Sequence, residues 1–139
     1  MIEKTGSAKW SGGLKDGKGT ISTQSGVLDS ESYSFARRFG DESGTNPEEL
    51  LAAAHASCFS MALSNVLSDY DMTADEIATT ATVTLDPAGP EITKVHLDLT
   101  ATIPGADEAK FKEAADKAKA GCPVSKLFKA EITLDAKLA

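Results

Sequence analysis

The sequence predicts an α+β fold with the element order β-β-β-α-β-β-α-α-β. Two turns, over residues 12–17 and 86–90, are rich in glycine or proline and lie between segments suited to β-strands. Between them an alanine-rich segment, from Leu50 to about Tyr70, has apolar residues at helical spacing. Hairpins therefore dominate the pattern, which favours α+β over a doubly wound parallel sheet.

The N-terminal region predicts three strands. Ser7–Ser11 and Gly19–Ser25 flank the first turn, whose glycines supply the positive φ angles that a hairpin loop needs. The alternation of side chains within Val27–Phe39 predicts a third strand. This strand would direct Arg37 and Arg38 to opposite faces of the sheet.

A long helix is predicted to follow this strand. Asn46 is suited to the N-cap, Pro47 to the first helical position, and Glu48 and Glu49 to the first turn, where Glu49 could close a capping box with Asn46. The stripe that we expect to be buried consists of Leu50, Ala54, Cys58, Met61, Ala62 and Asn65. Many alanines keep the helix thin, so it could be buried on most sides.

The C-terminal half predicts a second hairpin, two helices and a closing strand. The hairpin strands are Glu76–Leu85 and Ile92–Ile103. Asp107–Ala120 is an amphipathic helix, and Pro123 is placed to start a short one. Glu131–Leu138 alternates as the last strand.

The composition is that of a single globular domain spanning residues 1–139. The chain has a mass of 14.5 kDa and a net charge of -7, so a general attraction to nucleic acid or to an anionic membrane is not expected. Its first ten residues are polar and lack the features of a signal peptide. We therefore expect a cytoplasmic protein.

Two cysteines require an explanation, because they lack the close spacing of a zinc site. Cys58 lies inside the long helix on the apolar stripe, where an inert packing role is the simplest interpretation. Cys122 lies between Gly121, which can end one helix, and Pro123, which can start the next. Free backbone N–H groups at such a position favour a thiolate, but the placement could equally be accidental.

Charged residues near the long helix also have two interpretations. Glu48 stabilises the helix start as an acid, and at ~1.5 Å per residue it lies about 15 Å along an unbroken helix from Cys58. It could serve that thiol only across a dimer interface or after a break in the helix. Arg37 and Arg38 are solvated charges unless one of them offsets the desolvation of a buried thiol. His55 has no ligand or triad spacing and is interpreted as a packing or hydrogen-bonding residue.

Three segments, taken together, resemble the OsmC/Ohr family of thiol-dependent peroxidases. They are Thr45–Leu50, Ala53–Leu63 and Ala118–Ser125, and the likeness extends over essentially the whole chain. The pair Arg38-Phe39 resembles the OsmC branch, whereas Ohr-branch proteins carry their arginine in the early hairpin loop.

The resemblance implies an OsmC/Ohr-like fold, in which antiparallel β-sheets wrap around central helices in an intertwined homodimer with active sites at the subunit interface. It implies that Cys58 is the peroxidatic cysteine and Cys122 the resolving one. It further implies that Glu48 partners an arginine, for which the branch favours Arg38. No metal or organic cofactor is implied.

The resemblance also implies the reaction. An organic hydroperoxide, and less readily hydrogen peroxide, would be reduced to an alcohol through a sulfenic acid and a disulfide, as a defence against oxidative or osmotic stress. An external dithiol, such as a dihydrolipoyl protein, would complete the cycle. The expected walls of the substrate pocket are Phe39, Phe59, Met61 and Phe111. Two other classes fit the residues: a non-enzymatic binding protein for apolar stress metabolites, and a structural or interaction subunit.

Overall fold

The computed structural model describes residues 1–139, and these form two compact units. The first unit is Met1–Leu50 and the second is Leu51–Ala139. Helix α2, Pro47–Ser68, begins in the first unit and continues into the second.

The first unit contains a three-stranded antiparallel sheet. Its strands are β1 (Gly6–Ser11), β2 (Lys18–Thr23) and β3 (Glu31–Tyr33), in that spatial order. Gly12 has a φ of 93° in the loop between β1 and β2, a conformation that glycine adopts without steric cost. The predicted N-terminal hairpin is therefore confirmed.

The prediction of a strand as far as Phe39 is wrong, because the last five residues of that segment form helix α1, Phe35–Phe39. Ser34 caps this helix, and its Oγ accepts a hydrogen bond from the backbone N–H of Arg37 at 3.2 Å. The aromatic rings at the two ends of α1 lie 5.0 Å apart, an i, i+4 contact that stabilises a helix. Arg37 and Arg38 are thus consecutive helical residues, and they do not point to opposite faces of a sheet.

Helix α2 starts at the predicted residue. Asn46 Oδ1 accepts from the backbone N–H of Glu49 at 2.8 Å, and Asn46 Nδ2 donates to Glu49 Oε2 at 2.8 Å. The reciprocal contact between these residues confirms the predicted capping box, although the carboxylate accepts from the asparagine side chain and not from its backbone.

The second unit contains a mixed sheet. Its strands are β4 (Glu76–Asp86), β5 (Glu91–Thr102) and β6 (Glu131–Leu138), with β5 in the centre. The first two form the predicted antiparallel hairpin, but β6 runs parallel to β5, which corrects the expectation of purely antiparallel sheets. Parallel neighbours need a long crossover, and here α3 (Glu108–Gly121) and α4 (Pro123–Leu127) provide it.

The core of the second unit combines one face of β5 with residues from α2 and α3. Side chains of β5 point inward at every second position, as expected for a strand with one buried face. The largest fully buried apolar side chains are Phe59, Leu63, Leu67, Val95, Leu97, Leu99 and Phe111.

The stripe of α2 that was predicted to be buried is mostly not buried in the single chain. Ala54, Met61 and Asn65 are exposed, Met61 by 76%, and Cys58 is half-buried. The buried residues of α2 are His55, Phe59, Leu63 and Leu67. Large side chains remove more apolar area from water than alanine does, which explains why this stripe faces the core.

Replacing Asn46 with alanine should lower the free energy of unfolding by about 1 kcal/mol, because the N–H of Glu49 loses its acceptor. Urea denaturation followed by circular dichroism measures the loss. Asn46→Ser is the matched control, since serine caps helices about as well as asparagine and should retain most of the stability. Equal stability of the alanine and serine variants would contradict a stabilising cap.

Candidate active site

The two cysteines lie together in the second unit. Their Sγ atoms are 2.7 Å apart, with the Cys122 thiol donating to Cys58, and both are free thiols. Cys58 is in the middle of α2, whereas Cys122 is both the C-cap of α3 and the N-cap of α4. The structure therefore brings together the two thiols that the sequence left far apart.

The surroundings of Cys58 disfavour its charged form. Burial raises the pKa of the Cys58 thiol. A hydrogen bond with the Val124 backbone acts in the opposite direction. Because the thiolate is the reactive form of cysteine, a nucleophilic Cys58 requires a positive charge that compensates for its burial.

The two cysteines differ in their access to solvent. Cys122 is fully buried, whereas Cys58 is half-buried and lines a cavity of about 380 Å³. The other lining residues are Met61, Ala62, Asn65, Val66, Lys117, Ala118, Gly121 and Pro123. Of the two cysteines, only Cys58 therefore faces a molecule that enters this cavity.

Lys117 is a charged residue of the cavity that sequence reasoning missed. Its Nζ donates to Tyr70 Oη at 2.6 Å, and this hydrogen bond raises the pKa of Lys117. Its i, i+4 ion pair with Glu113, at 3.5 Å, is exposed. The helical spacing that places Lys117 one turn before Gly121 would have been the signal for it.

One of the four predicted pocket walls lines the cavity beside Cys58. Met61 does so, whereas Phe59 and Phe111 are fully buried in the core and do not. These two aromatic rings pack in the core between the helices and the sheet. They do not line the cavity, which corrects their prediction as walls of the substrate pocket. Phe39 belongs to the first unit, where it lines a different cavity.

The predicted arginine–carboxylate pair forms in the first unit. Nε and Nη2 of Arg38 both donate to Glu48 Oε1, at 3.1 Å each. The Arg38 side chain is 40% exposed and that of Glu48 is 12% exposed. The second carboxylate oxygen of Glu48 is buried and has no hydrogen-bond partner within the chain. A largely buried carboxylate thus orients a guanidinium that remains accessible.

Arg38 also lines a cavity of about 240 Å³ in the first unit. The other lining residues are Trp10, Leu14, Tyr33, Ser34, Phe35 and Phe39. The guanidinium lies 5.3 Å from the centre of the Phe39 ring, within the range of a cation–π interaction. The cavity therefore places a positive charge beside aromatic surface.

Arg37, the neighbouring arginine, has different contacts. Its Nη1 donates to the backbone oxygen of Ser32 at 2.7 Å, and its Nε lies 3.7 Å from a carboxylate oxygen of Glu42. These contacts connect α1 to β3 and to the loop that follows α1, so we interpret Arg37 as a residue that stabilises the local structure. The choice of Arg38 as the partner of Glu48 agrees with this geometry.

His55 is fully buried one turn before Cys58. Its Nε2 lies 2.7 Å from Ser125 Oγ, and the ring of Phe128 packs edge-on at 5.3 Å. The interpretation of His55 as a packing and hydrogen-bonding residue is confirmed. Ser125 was missed as its partner, since nothing in the sequence pairs residues so far apart.

Comparison with known proteins identifies close relatives. Residues 40–137 match the family described as OsmC-like protein. Peroxiredoxin OsmC of Escherichia coli (strain K12) is 55% identical, over 99% of this chain and 97% of that protein. Organic hydroperoxide resistance protein OhrB of Bacillus subtilis (strain 168) is 29% identical, over 86% of this chain and 88% of that protein. The higher identity to the OsmC relative confirms the branch predicted from Arg38 and Phe39.

The fold is shared with solved structures. The crystal structure of Bacillus subtilis OhrB has a TM-score of 0.64 at 27% identity, covering 97% of this chain and 98% of that one. An OsmC-like protein of unknown function from Vibrio cholerae has a TM-score of 0.76 at 15% identity, covering 98% and 99% of the two chains. The predicted OsmC/Ohr-like α+β fold is therefore confirmed.

Treating the reduced protein with diamide should join Cys58 to Cys122 within one chain, because the two sulfurs are already in contact. Thiol titration should fall from two groups per chain to none, and the product should migrate as a monomer on a non-reducing denaturing gel. In Cys122→Ser the remaining thiol should stay free or form only a mixed or intermolecular disulfide. Predominant cross-linking between chains of the unmodified protein would contradict the geometry.

Proposed function

We propose that this chain, which belongs to the OsmC-like protein family and is a peroxidase, reduces organic hydroperoxides. In this proposal Cys58 is the attacking residue and Cys122 is the resolving one. The unequal burial of two sulfurs that lie 2.7 Å apart carries this proposal. A hydroperoxide in the cavity reaches Cys58 and not Cys122, so the accessible sulfur reacts first and the buried one second.

The first step is a two-electron oxidation of Cys58. Its thiolate attacks the terminal oxygen of the hydroperoxide ROOH, an S–O bond forms and the O–O bond breaks. The alkoxide takes up a proton and leaves as the alcohol, while Cys58 becomes a sulfenic acid. The second step forms the S–S bond with Cys122. The sulfenic oxygen leaves as water with the proton of the Cys122 thiol.

Arg38 is the proposed source of the positive charge that Cys58 needs. Helix α2 is unbroken from Pro47 to Ser68, so Glu48 and Cys58 of one chain are about 15 Å apart along its axis at ~1.5 Å per residue. Of the two alternatives raised by the sequence, an unbroken helix argues against a helix break and supports the proposal of a dimer. In this proposal, Cys58 of one chain faces Arg38 of the partner subunit, oriented by the partner's Glu48.

The exposed face of α2 supports a homodimer. The helix has a mean hydropathy of 1.5 over its most apolar 18 residues, long and apolar enough by composition to cross a membrane, but only 22% of that window is buried in the single chain. The exposed positions include Ala53, Ala54, Ser57 and Ser64, whose small side chains allow another helix to approach closely. A second copy of the chain would cover this face.

The cavity beside Cys58 supports the preference for organic substrates. Its lining is largely apolar, and burying an alkyl group stabilises the complex by about 0.8 kcal/mol per CH₂. Hydrogen peroxide has no alkyl group and is the poorer substrate in this proposal. An external dithiol, of which a dihydrolipoyl protein is one example, returns the disulfide to two thiols by exchange.

The reduced protein should consume cumene hydroperoxide faster than hydrogen peroxide at equal concentration, with a dihydrolipoyl compound as the reductant. Steady-state kinetics on both substrates measure the preference. Cys58→Ser should abolish turnover with either substrate, because no nucleophile remains in the cavity. Full activity of Cys58→Ser, or a clear preference for hydrogen peroxide, would refute the assigned nucleophile or the assigned substrate class respectively.

Arg38→Gln should slow the reaction of Cys58 with cumene hydroperoxide about 10- to 100-fold at pH 7, because loss of a nearby positive charge raises a thiol pKa by about 1–2 units. The deficit should shrink as the pH rises, since the thiolate then forms without help. Single-turnover rates measured as a function of pH report both effects.

Arg37→Gln is the matched control for this experiment, since it removes the neighbouring guanidinium, which has no contact with Glu48. Its single-turnover rates should stay close to those of the unmodified protein across the pH range. An equal loss in the two variants would mean that Arg38 has no special role.

A further inference from the structure

Helix α4 contacts α2 through the side chains of Ser125 and His55, and this contact lies beside the pair of cysteines. His55 and Cys58 are three residues apart on α2, and Cys122 and Ser125 are three residues apart at the start of α4. Residues with this spacing share one side of a helix. The pair of sulfurs, at 2.7 Å, and the pair His55 Nε2–Ser125 Oγ, also at 2.7 Å, therefore form two neighbouring cross-links between the same two segments.

We propose that His55 and Ser125 are positioning residues for the resolving step: their buried hydrogen bond holds the turn that carries Cys122 against the helix that carries Cys58. This inference rests on the proposed function, since it concerns its second step. Oxidation of Cys58 changes one partner of the contact between the two sulfurs, whereas the pair of His55 and Ser125 is chemically unchanged. The turn must then stay in place until Cys122 attacks.

His55 contacts α4 near both of its ends. Ser125 belongs to the first turn of α4, while Phe128 is its C-cap, and the imidazole contacts both of them. Cys122, the N-cap of this short helix, makes no side-chain capping hydrogen bond, so the contacts of His55 add to the packing of Val124 against the core. A single residue of α2 thus holds α4 at its start and at its end.

The protonation of His55 is consistent with a permanent structural contact. Burial lowers the pKa of His55, so the imidazole is neutral near pH 7. Its Nδ1 is buried without a partner. The tautomer that protonates Nε2 donates to Ser125 Oγ and leaves Nδ1 as a bare acceptor, whereas the other tautomer would bury an N–H without an acceptor, which is costlier.

The chemistry of the step explains why such a contact affects a rate. The Cys122 thiol attacks the sulfur of the Cys58 sulfenic acid, the S–S bond forms, and the S–O bond breaks with release of water. The attack requires Cys122 to remain within reach of that sulfur, and loss of alignment reduces the advantage of an intramolecular reaction. A loosened α4 should therefore slow resolution and leave the first step unchanged.

Single-turnover analysis of Ser125→Ala tests the proposal. Reduced protein is mixed with one equivalent of cumene hydroperoxide and quenched at intervals with dimedone and N-ethylmaleimide, and mass spectrometry separates sulfenic acid, disulfide and free thiols. Hydroperoxide consumption should match the unmodified protein. Disulfide formation should slow about fivefold, the rate equivalent of one net hydrogen bond, and excess hydroperoxide should yield more sulfinic acid on Cys58.

Thr133→Val is the matched control, because it removes a similar contact elsewhere in the second unit. Thr133 Oγ1 lies 2.6 Å from Nδ1 of His96, the only other histidine, on the sheet. This variant should resolve Cys58 at the unmodified rate. His55→Gln provides a second variant, since the neutral amide can donate to Ser125 and should restore much of the rate that His55→Phe loses.

The outcomes separate the positioning role from the proposed function. Normal disulfide formation in both Ser125→Ala and His55→Phe would overturn the positioning role while leaving the peroxidase mechanism intact. Equal slowing in Thr133→Val would also overturn it, because the effect would then reflect general destabilisation. If the unmodified protein consumed no hydroperoxide, the proposed function would fail, and the positioning role with it.

Discussion

Desolvation of the Cys58 thiol is the constraint on which the other features of the site depend. The same burial that brings its sulfur to 2.7 Å from Cys122 raises its pKa. The neighbouring Cys122 thiol carries no positive charge, so a nearby cation would compensate for a buried anion more strongly than this thiol does. The apolar environment that suits an alkyl hydroperoxide therefore makes the nucleophile weak unless a cation compensates for the burial, and our proposal assigns that cation to Arg38.

In our proposal, the two units of the chain contribute different parts of the site. The second unit contains both sulfurs and the apolar cavity, and the first unit contains a guanidinium held by Glu48. Arginine suits this purpose because it stays charged at any physiological pH and keeps donors free when one face is bound to a carboxylate. The length of an unbroken α2 then explains why our proposal requires a dimer, with each chain completing the site of the other.

Much of the fold could be predicted from the sequence because its boundaries depend on local chemistry. Asn46, Pro47 and Glu49 specify the start of α2 through short-range contacts, and the structure has the helix begin there. The wrong prediction of a strand at α1 has a local cause as well. The aromatic residues at alternate positions of a strand can also form an i, i+4 pair on a helix, and the cap at Ser34 stabilises the helix.

Features that depend on contacts between distant segments could not be predicted in this way. Periodicity identifies an apolar helix but not the face that meets the sheet, so the pattern alone does not distinguish the exposed stripe with Met61 from the buried stripe with Phe59. The parallel placement of β6 depends on where the crossover helices pack. The roles of the two cysteines came from family resemblance alone, because no rule of spacing joins a mid-helix cysteine to a cysteine at a turn.

The unequal access to the two sulfurs also constrains how the proposed cycle would end. In the disulfide, a thiolate from the reductant can attack only the sulfur that it can reach, and Cys58 is the one that lines the cavity while Cys122 is fully buried. Exchange at Cys58 expels Cys122 as the leaving group, and the mixed disulfide is then released by the second thiol of the reductant. The hydroperoxide and the reductant must accordingly use the same entrance in turn. A slender, apolar dithiol meets that requirement better than a bulky or highly charged one, which is why our proposal names a dihydrolipoyl group as an example of the reductant.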